Sequence, residues 1–224
     1  MKKNIRDHIR INDIFLGPLE RPALRWLAGH MPAWVTPDIL TLVGFFGSVV
    51  TLAGYGLTVL NKNYLWLASF GFVINWFGDS LDGTLARYRH IERPIYGFYI
   101  DHTMDIVTEM LIFIGLGLSP YVRFDFACLA LIGYLMLSVL VYIQMCVKGE
   151  FRLSYAGLGP TEARLIAISA NAVVFFVGNP TVNLFGISNS VYDWIVIVII
   201  FLLLAIFISS WLIQARKLAG ADRK

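Results

Sequence analysis

The sequence predicts an all-α integral membrane protein, a bundle of six transmembrane helices preceded by an amphipathic helix at the membrane interface. Two observations predict this class: 58% of the 224 residues are hydrophobic and only 15% are charged, and mean hydropathy is +0.69. A soluble domain carries about 25% charged residues, so this composition excludes a soluble globular protein and a disordered chain. The net charge of +3 does not indicate a nucleic-acid partner.

The uncharged residues are gathered into long stretches, and a membrane-spanning helix needs about 20 mostly apolar residues. Four stretches satisfy this length outright, whereas the second and third satisfy it only by including polar residues at one end. Thr36 and Pro37 suit the N-cap and first position of span one, and Gly44, Gly47 and Gly54 are predicted helix-packing positions within it. The predicted spans are 37–60, 64–88, 97–118, 125–147, 160–178 and 191–214.

Lysine and arginine are distributed unequally between the two sides of this predicted bundle. Sixteen of the 18 lie on the side that holds both termini, and only Lys62 and Arg123 lie on the other. Because cytoplasmic loops carry the excess of positive residues, both termini are predicted to be cytoplasmic. The predicted domains are an N-terminal interfacial segment (1–35), a transmembrane domain (36–215) and a basic cytoplasmic tail (216–224).

The first 35 residues mix basic side chains with apolar ones, among them Ile5, Ile9, Leu24 and Trp26. The apolar residues recur at helical spacing, which favours one or two amphipathic helices lying on the cytoplasmic face of the bilayer. A disordered basic tail is the alternative for this segment.

Four aspartates lie where spans two and three approach the same loop. Asp79 and Asp82 are three residues apart, and Asp101 and Asp105 are four apart, so each pair shares one face of its helix. The loop is short, so the two helices are antiparallel neighbours and the four carboxylates converge near the cytoplasmic end of the bundle. Converging carboxylates repel one another and need cations, and an oxygen-only ligand set suits Mg²⁺, Mn²⁺ or Ca²⁺. The cluster therefore predicts a metal-assisted phosphoryl-transfer site, although a single aspartate at a helix end is usually solvated or capping.

From Asp79 to Asp105 the chain reads D-x-x-D-G-x-x-A-R, then nine residues, then G-x-x-x-D-x-x-x-D. This pattern resembles the signature of the CDP-alcohol phosphotransferase family, the integral membrane enzymes of phospholipid synthesis. The resemblance implies transfer of a phosphoalcohol or phosphatidyl group from a CDP-linked donor to the hydroxyl of a lipid or small alcohol, with release of CMP. It also implies a homodimer and a cytoplasmic active site.

The resemblance further implies roles for individual residues. Two divalent ions, Mg²⁺ or Mn²⁺, would be held by Asp79, Asp82, Asp101 and Asp105. Asp105 would also be the general base that deprotonates the acceptor hydroxyl. The implied contacts to the CDP group are Asp79, Gly83, Ala86 and Arg87.

Other polar residues near the cluster are candidates for which a structural role is the alternative. Thr41 either faces the nucleotide or packs within span one. Glu109, one turn beyond Asp105, either tunes the metals and binds a polar head group or is a partnered structural acid. Glu162 either contacts the acceptor or serves as an acid at a helix start. The candidates for binding a substrate phosphate, which also satisfy the positive-inside bias, are Lys148, Arg152 and Arg164.

Three details favour CDP-choline or CDP-ethanolamine as donor and diacylglycerol as acceptor. The entry to span one (MPAWVTPDILTLVG), the pair Asp101-His102 and the pair Thr161-Glu162 each resemble family members with those substrates. Transfer from CDP-diacylglycerol to inositol phosphate, glycerol phosphate or serine is the alternative, and the compact six-span form resembles prokaryotic members. A divalent-cation transporter is the alternative of another class, but its acids would be expected near mid-bilayer.

Overall fold

The structure, a computed structural model, describes residues 9–11, 15–148, 150–152, 159–184 and 186–221. Within these ranges the chain forms seven helices and four short strands. The helices are α1 (Gly17–His30), α2 (Pro37–Leu57), α3 (Tyr64–Tyr88), α4 (Pro94–Leu118), α5 (Phe124–Lys148), α6 (Pro160–Val177) and α7 (Val191–Ala221). The strands are β1 (Ile9–Ile11), β2 (Glu150–Arg152), β3 (Thr181–Leu184) and β4 (Ile187–Ser190).

The six helices from α2 to α7 follow the six predicted spans closely. α3 has the predicted bounds, and α4 begins three residues early, at Pro94, because proline suits the first position of a helix. α7 continues beyond the predicted end at 214 as far as Ala221, since hydropathy marks only the apolar part of a helix. The described chain is therefore an all-helical bundle with the predicted element order.

Four helices of the described chain are long and apolar enough to cross a membrane. They cover Pro37–Leu57, Phe124–Val147, Pro160–Val177 and Val191–Gly220. α3 and α4 are each 25 residues long, but they carry the charged residues of the motif. Length and composition alone therefore support four spans, and the count of six stays a prediction.

α2 and α3 pack with their backbones in contact. A Cβ atom placed on Gly78 would lie 2.2 Å from the Gly44 nitrogen, and one placed on Gly47 would lie 2.3 Å from the Asn75 nitrogen. At Gly54 it would lie 2.4 Å from the Ala68 nitrogen. The prediction that Gly44, Gly47 and Gly54 are packing positions is confirmed, because side chains do not fit between these helices.

α1 lies against the ends of α2 and α3 that carry the motif. Leu24 and Ala28 of α1 are buried and pack with Leu81 and Leu85 of α3. The opposite side of α1 is exposed, including Trp26. α1 is a helix within the N-terminal segment, and the amphipathic helix at the membrane interface stays a prediction.

Arg89 fixes the connection between α1 and α2. Its guanidinium donates hydrogen bonds to the carbonyl oxygens of Met31 and Pro32, both at 2.9 Å, and of Val35 at 2.6 Å. Guanidinium groups suit such a role because they present several donors in one plane. This positive residue of the loop after α3 therefore holds the chain that leads into α2.

The short strands add two small pairings to the helical bundle. β1 runs parallel to β2, with Ile9 opposite Glu150, and β3 and β4 form an antiparallel hairpin between α6 and α7. Strands of three or four residues leave no useful periodicity in a sequence, so hydropathy did not predict them.

Candidate active site

Three aspartates of α3 and α4 converge about two to three turns from the loop between these helices, which both pack against α2. Asp79, Asp101 and Asp105 are each partly buried, and one carboxylate oxygen of each lies within 4.8 Å of the others. Two unit charges at this separation repel by about 3 kcal/mol at an effective dielectric constant of about 20. Three hard oxygen ligands without histidine or cysteine fit Mg²⁺ or Mn²⁺. Helical spacing places Asp101 and Asp105 on one face of α4, as the sequence analysis predicted, and Asp79 of α3 lies beside them.

Asp82 lies beside this group and contacts α2. Its Oδ2 accepts a hydrogen bond from the Thr41 hydroxyl at 2.7 Å, and its Oδ1 accepts one from the Gly83 amide. Asp82 is 8% exposed. Thr41, the candidate nucleotide contact, therefore contacts the motif at Asp82.

Two spaces meet at the aspartates. The smaller is a chamber of about 10 Å³, which is about the room that one water molecule needs. A bare divalent cation is smaller than a water molecule, so the chamber has room for an ion held by the carboxylates. Its lining includes Thr41, Asn75, Asp79, Asp101, Asp105 and Thr108.

The larger space is an open cleft of about 290 Å³. It contains the predicted nucleotide contacts apart from Asp79, since its lining includes Thr41, Asp82, Gly83, Ala86, Arg87 and Asp101. Gly97 also lines the cleft, and a Cβ atom there would meet nothing within 4 Å. Asp38 and Arg93 form an ion pair at its edge.

Arg164 of α6 reaches into the group of aspartates. Its Nη2 donates to Asp79 Oδ2 at 2.5 Å and its Nε donates to Asn75 Oδ1 at 2.8 Å. The Nη1 atom is buried and has no hydrogen-bond partner among the described residues. Of the three candidate phosphate-binding residues, Arg164 is the one that the structure places beside the aspartates.

Glu109 lies one turn beyond Asp105 on α4 and faces α5. The buried Tyr134 hydroxyl of α5 hydrogen-bonds to it, whereas Glu109 Oε2 is buried without a partner in the described part of the chain. Glu109 is therefore an acid partnered by α5.

The remaining candidates have other surroundings. Glu162 is 6% exposed, and its two oxygens accept backbone hydrogen bonds from Leu16 at 2.8 Å and Gly159 at 3.0 Å. These contacts give Glu162 a structural role at the start of α6. The side chains of Lys148 and Arg152 lie outside the part of the chain that the structure describes.

Asn75 and Glu20 are site residues that the sequence analysis missed. Asn75 is 2% exposed and joins three helices, because its Nδ2 also donates to the Gly44 carbonyl oxygen at 2.9 Å. The sequence pattern could have identified Asn75, because it is an isolated amide in an apolar stretch, one turn before Asp79 on the same helix face. Glu20 of α1 accepts hydrogen bonds from Trp76 Nε1 at 2.7 Å and from the Thr161 hydroxyl at 2.8 Å. No sequence pattern indicated these contacts, because both partners are distant in the chain.

The comparison with protein families decides the identity of this site. The family described as CDP-alcohol phosphatidyltransferase matches residues 34–211. The chain belongs to this family. The matched range contains the three converging aspartates, the cleft and Arg164, so the described geometry is that of a CDP-alcohol phosphatidyltransferase domain.

The similar proteins are named either as synthases of an inositol phosphate lipid or as cholinephosphotransferases. The chain is 35% identical over 145 residues to an archaetidylinositol phosphate synthase of Pyrococcus horikoshii, a match covering 65% of this chain and 69% of the relative. It is 27% identical over 163 residues to cholinephosphotransferase 1 of Danio rerio, covering 68% of this chain and 41% of the relative. It is also 34% identical to a phosphatidylinositol phosphate synthase of Cutibacterium acnes, over 38% of this chain and 39% of the relative.

The family and these relatives make the protein a phosphotransferase enzyme of phospholipid synthesis in the membrane. Such an enzyme transfers a substituted phosphate group from a CDP-linked donor to an alcohol. The prediction from the motif that the chain belongs to this family is confirmed.

Proposed function

We propose that this CDP-alcohol phosphatidyltransferase catalyses a metal-dependent transfer at the junction of the small chamber and the larger cleft, with release of CMP. The convergence of Asp79, Asp101 and Asp105 beside the cleft that holds the nucleotide motif is the observation that carries the proposal. The cleft accommodates the donor, and the chamber places its pyrophosphate next to the carboxylates.

The donor is held by the α3 side of the cleft. Arg87 supplies a positive charge for the phosphates, and Gly83 and Ala86 leave room for the nucleotide close to the helix. Thr41 lines both spaces, so it contacts the donor where the nucleotide approaches Asp82. Each of these contacts binds and orients the donor rather than taking part in bond breaking.

Two divalent ions, Mg²⁺ or Mn²⁺, would be held by the aspartates of the motif. Asp79, Asp101 and Asp105 form the first set of ligands, and Asp82 adds the fourth carboxylate from the adjacent wall. When bound, the ions neutralise the pyrophosphate and the charge that develops on the departing CMP. The carboxylates lie on α3 and α4, which both pack against α2, and they are suited to this because their positions are fixed before the donor arrives.

Asp105 is the general base of the proposed reaction. It accepts the proton of the acceptor hydroxyl, whose oxygen then forms a bond to the phosphorus distal to cytidine. The bond between this phosphorus and the bridging oxygen breaks, and CMP leaves with the electron pair. A carboxylate is a weak base, so its contribution comes mainly from its position.

Two candidate acceptors are proposed, each with its own donor. Sequence details favour CDP-choline or CDP-ethanolamine with diacylglycerol, in line with the cholinephosphotransferase relatives. Transfer from CDP-diacylglycerol to a phosphorylated polyol is the second candidate. The buried Nη1 of Arg164 has no hydrogen-bond partner among the residues that the structure describes, and this favours the second candidate because a phosphate on the acceptor would supply one.

The enzyme is proposed to cross the bilayer six times, with α3 and α4 completing the four apolar spans. Their charged ends then lie at the cytoplasmic surface with both termini, as the distribution of lysine and arginine predicts. α1 is proposed to lie on that surface through Trp26 and its neighbours, and the family suggests a homodimer.

CMP release by the purified protein in lipid micelles tests the function. One arm supplies CDP-diacylglycerol with inositol phosphate, glycerol phosphate or serine, and the other supplies CDP-choline or CDP-ethanolamine with diacylglycerol. Release in one arm identifies the donor and the direction of transfer. Chelation should stop the release, and Mg²⁺ or Mn²⁺ should restore it.

Activity that is indifferent to chelation would contradict the metal-dependent mechanism. Folded protein that binds no CDP-linked donor, yet moves divalent cations across sealed vesicles, would instead support a cation transporter.

A further inference from the structure

Two carboxylates hold the start of α1 to the start of α6. Glu162 of α6 accepts a hydrogen bond from the Leu16 amide at 2.8 Å, directly before α1. Glu20 of α1 accepts one in return from the Thr161 hydroxyl at 2.8 Å. We call this group of four residues, Leu16, Glu20, Thr161 and Glu162, the α1–α6 clasp.

The clasp also contacts α3. The same Glu20 oxygen that accepts from Thr161 accepts a second hydrogen bond, from Trp76 Nε1 at 2.7 Å. Trp76 follows Asn75, and Thr161 precedes Arg164 by three residues, which is about one turn. The carboxylate of Glu20 thus links α3 to α6 through hydrogen bonds. This link lies about one helical turn from the place where Arg164 of α6 contacts α3.

Arg164 connects this region to the aspartates. It donates to Asn75 and to Asp79 Oδ2, and its side chain is only 12% exposed. Hydrogen bonds between charged groups away from water are strong, and losing one partner is costly. Because Arg164 holds one oxygen of Asp79, the direction of the other oxygen depends on where α6 places the guanidinium.

We infer that the α1–α6 clasp positions Arg164, and that Arg164 orients the Asp79 carboxylate toward the metal site. Glu20 is the positioning residue that the N-terminal helix contributes. The inference rests on the proposed function, since it requires that the aspartates bind a divalent ion. Partners that hold a metal ligand in place commonly change metal affinity about 10- to 100-fold when they are replaced.

Replacing Glu20 is a cleaner test than replacing Arg164. Removal of the Arg164 side chain would free Asp79 and would also remove a positive charge near the ion, and these two changes affect metal affinity in opposite directions. Glu20→Ala removes the contacts and leaves Arg164 in the protein. Glu20→Gln is the matched control, because its amide oxygen still accepts from Trp76 and Thr161 while the charge is lost.

The measurement is Mn²⁺ binding by electron paramagnetic resonance, on the full chain in detergent without substrate. We expect Glu20→Ala to weaken Mn²⁺ affinity about threefold to tenfold, below the usual range for a direct ligand partner. Thr161→Val removes only the bond between α6 and Glu20 at nearly constant volume, and it should weaken affinity in the same direction. Glu20→Gln should bind within about twofold of the unchanged protein, as expected for a partner that keeps its acceptor oxygen.

A double-mutant cycle separates positioning from a general effect on the fold. In an Arg164→Gln background, Glu20→Ala should change Mn²⁺ affinity by less than about 1.5-fold, because the residue through which it acts is gone. Equal loss in both backgrounds would overturn the inference, as would an unchanged affinity in Glu20→Ala and Thr161→Val. If Glu20→Ala does not fold, Thr161→Val decides. Failure of the unchanged protein to bind Mn²⁺ would contradict the proposed metal site itself.

Discussion

At the scale of single residues, Asp105 has the position that a base requires. It shares the small chamber with Asp79 and Asp101, and in the proposed reaction the acceptor hydroxyl lies next to the donor phosphate within its reach. Thr108 and Met104 complete the chamber around it. In the proposed reaction its neighbours bind and orient the substrates, and Asp105 receives the proton.

Replacing Asp105 by asparagine should abolish turnover and spare donor binding. An amide does not accept the proton of the hydroxyl, and positioned proton transfer contributes about 10²- to 10⁴-fold to a rate. CMP release measures turnover, and calorimetric titration with CDP measures binding. Thr103→Ala, on the exposed face of the same helix, is the control. Turnover retained within tenfold of the control would remove Asp105 from the role of base.

Gly83 tests the donor cleft. A Cβ atom at this position would lie 3.3 Å from Arg87 Nη1, so a larger side chain displaces the guanidinium that is proposed to bind the donor phosphates. We expect Gly83→Val to raise KM for the CDP-linked donor about tenfold, which corresponds to about 1.4 kcal/mol. Gly56→Ala, where a Cβ atom meets nothing within 4 Å, is the control. An unchanged KM in Gly83→Val would place the donor elsewhere.

At the scale of elements, the contact between α2 and α3 sets the geometry of the site. Thr41 lies on α2 and meets Asp82 of α3 only because the two backbones approach closely along their glycines. The same approach lets Asn75 reach the Gly44 carbonyl oxygen. The polar contacts at one end of this helix pair thus depend on small residues along its whole length.

Gly78→Ala should destabilise the protein. Its added methyl group would lie 2.2 Å from a backbone nitrogen and 2.4 Å from a backbone carbonyl oxygen of α2, so the helices have to separate. Overpacking typically costs about 1–3 kcal/mol, measured as a lower thermal unfolding temperature in detergent. Gly56→Ala on α2 should unfold at or above the temperature of the unchanged protein, because alanine favours helix. Equal unfolding temperatures for Gly78→Ala and Gly56→Ala would contradict the close packing.

The sequence predicted the features that helical spacing, small residues and apolar length determine, and it missed individual side-chain contacts between helices. Helical spacing placed Asp101 and Asp105 on one face, and apolar length predicted the spans. Spacing does not give the rotation of one helix against another, so it did not predict that Asp82 contacts Thr41. Likewise, no pattern within α6 indicates that Arg164 meets Asp79, 85 residues earlier in the chain.

At the scale of the whole molecule, the distribution of charge predicts which ends of the helices share a compartment. Lys62 lies in the turn between α2 and α3, and Glu92 lies in the loop between α3 and α4 that borders the cleft. With six spans and cytoplasmic termini, Glu92 faces the cytoplasm and Lys62 faces the opposite side. The cleft then opens toward the compartment that the positive residues mark.

Cysteine labelling in intact cells tests this topology. Single cysteines are placed at Lys62 and Glu92 after Cys128 and Cys146 are replaced by serine. Lys62→Cys should react with a membrane-impermeant maleimide in intact cells, whereas Glu92→Cys should react only after permeabilisation. The protein without cysteines controls for background. A reversed pattern would place the cleft outside the cytoplasm, and reaction of both in intact cells would contradict the membrane-spanning α3.

The packing of α4 has a mechanical consequence. Far from the aspartates, a Cβ atom on Gly115 would lie 2.8 Å from Leu52 Cα of α2, whereas residues 91–97 at the other end of α4 are exposed. α4 is therefore held closely at Gly115 and less closely at its exposed end. Asp101 lies about 21 Å along the helix from Gly115 at 1.5 Å per residue, so a tilt of about 5° moves it by roughly 2 Å. Since α2 and α3 are fixed to each other, such a tilt of α4 would change the width of the gap that an ion has to span.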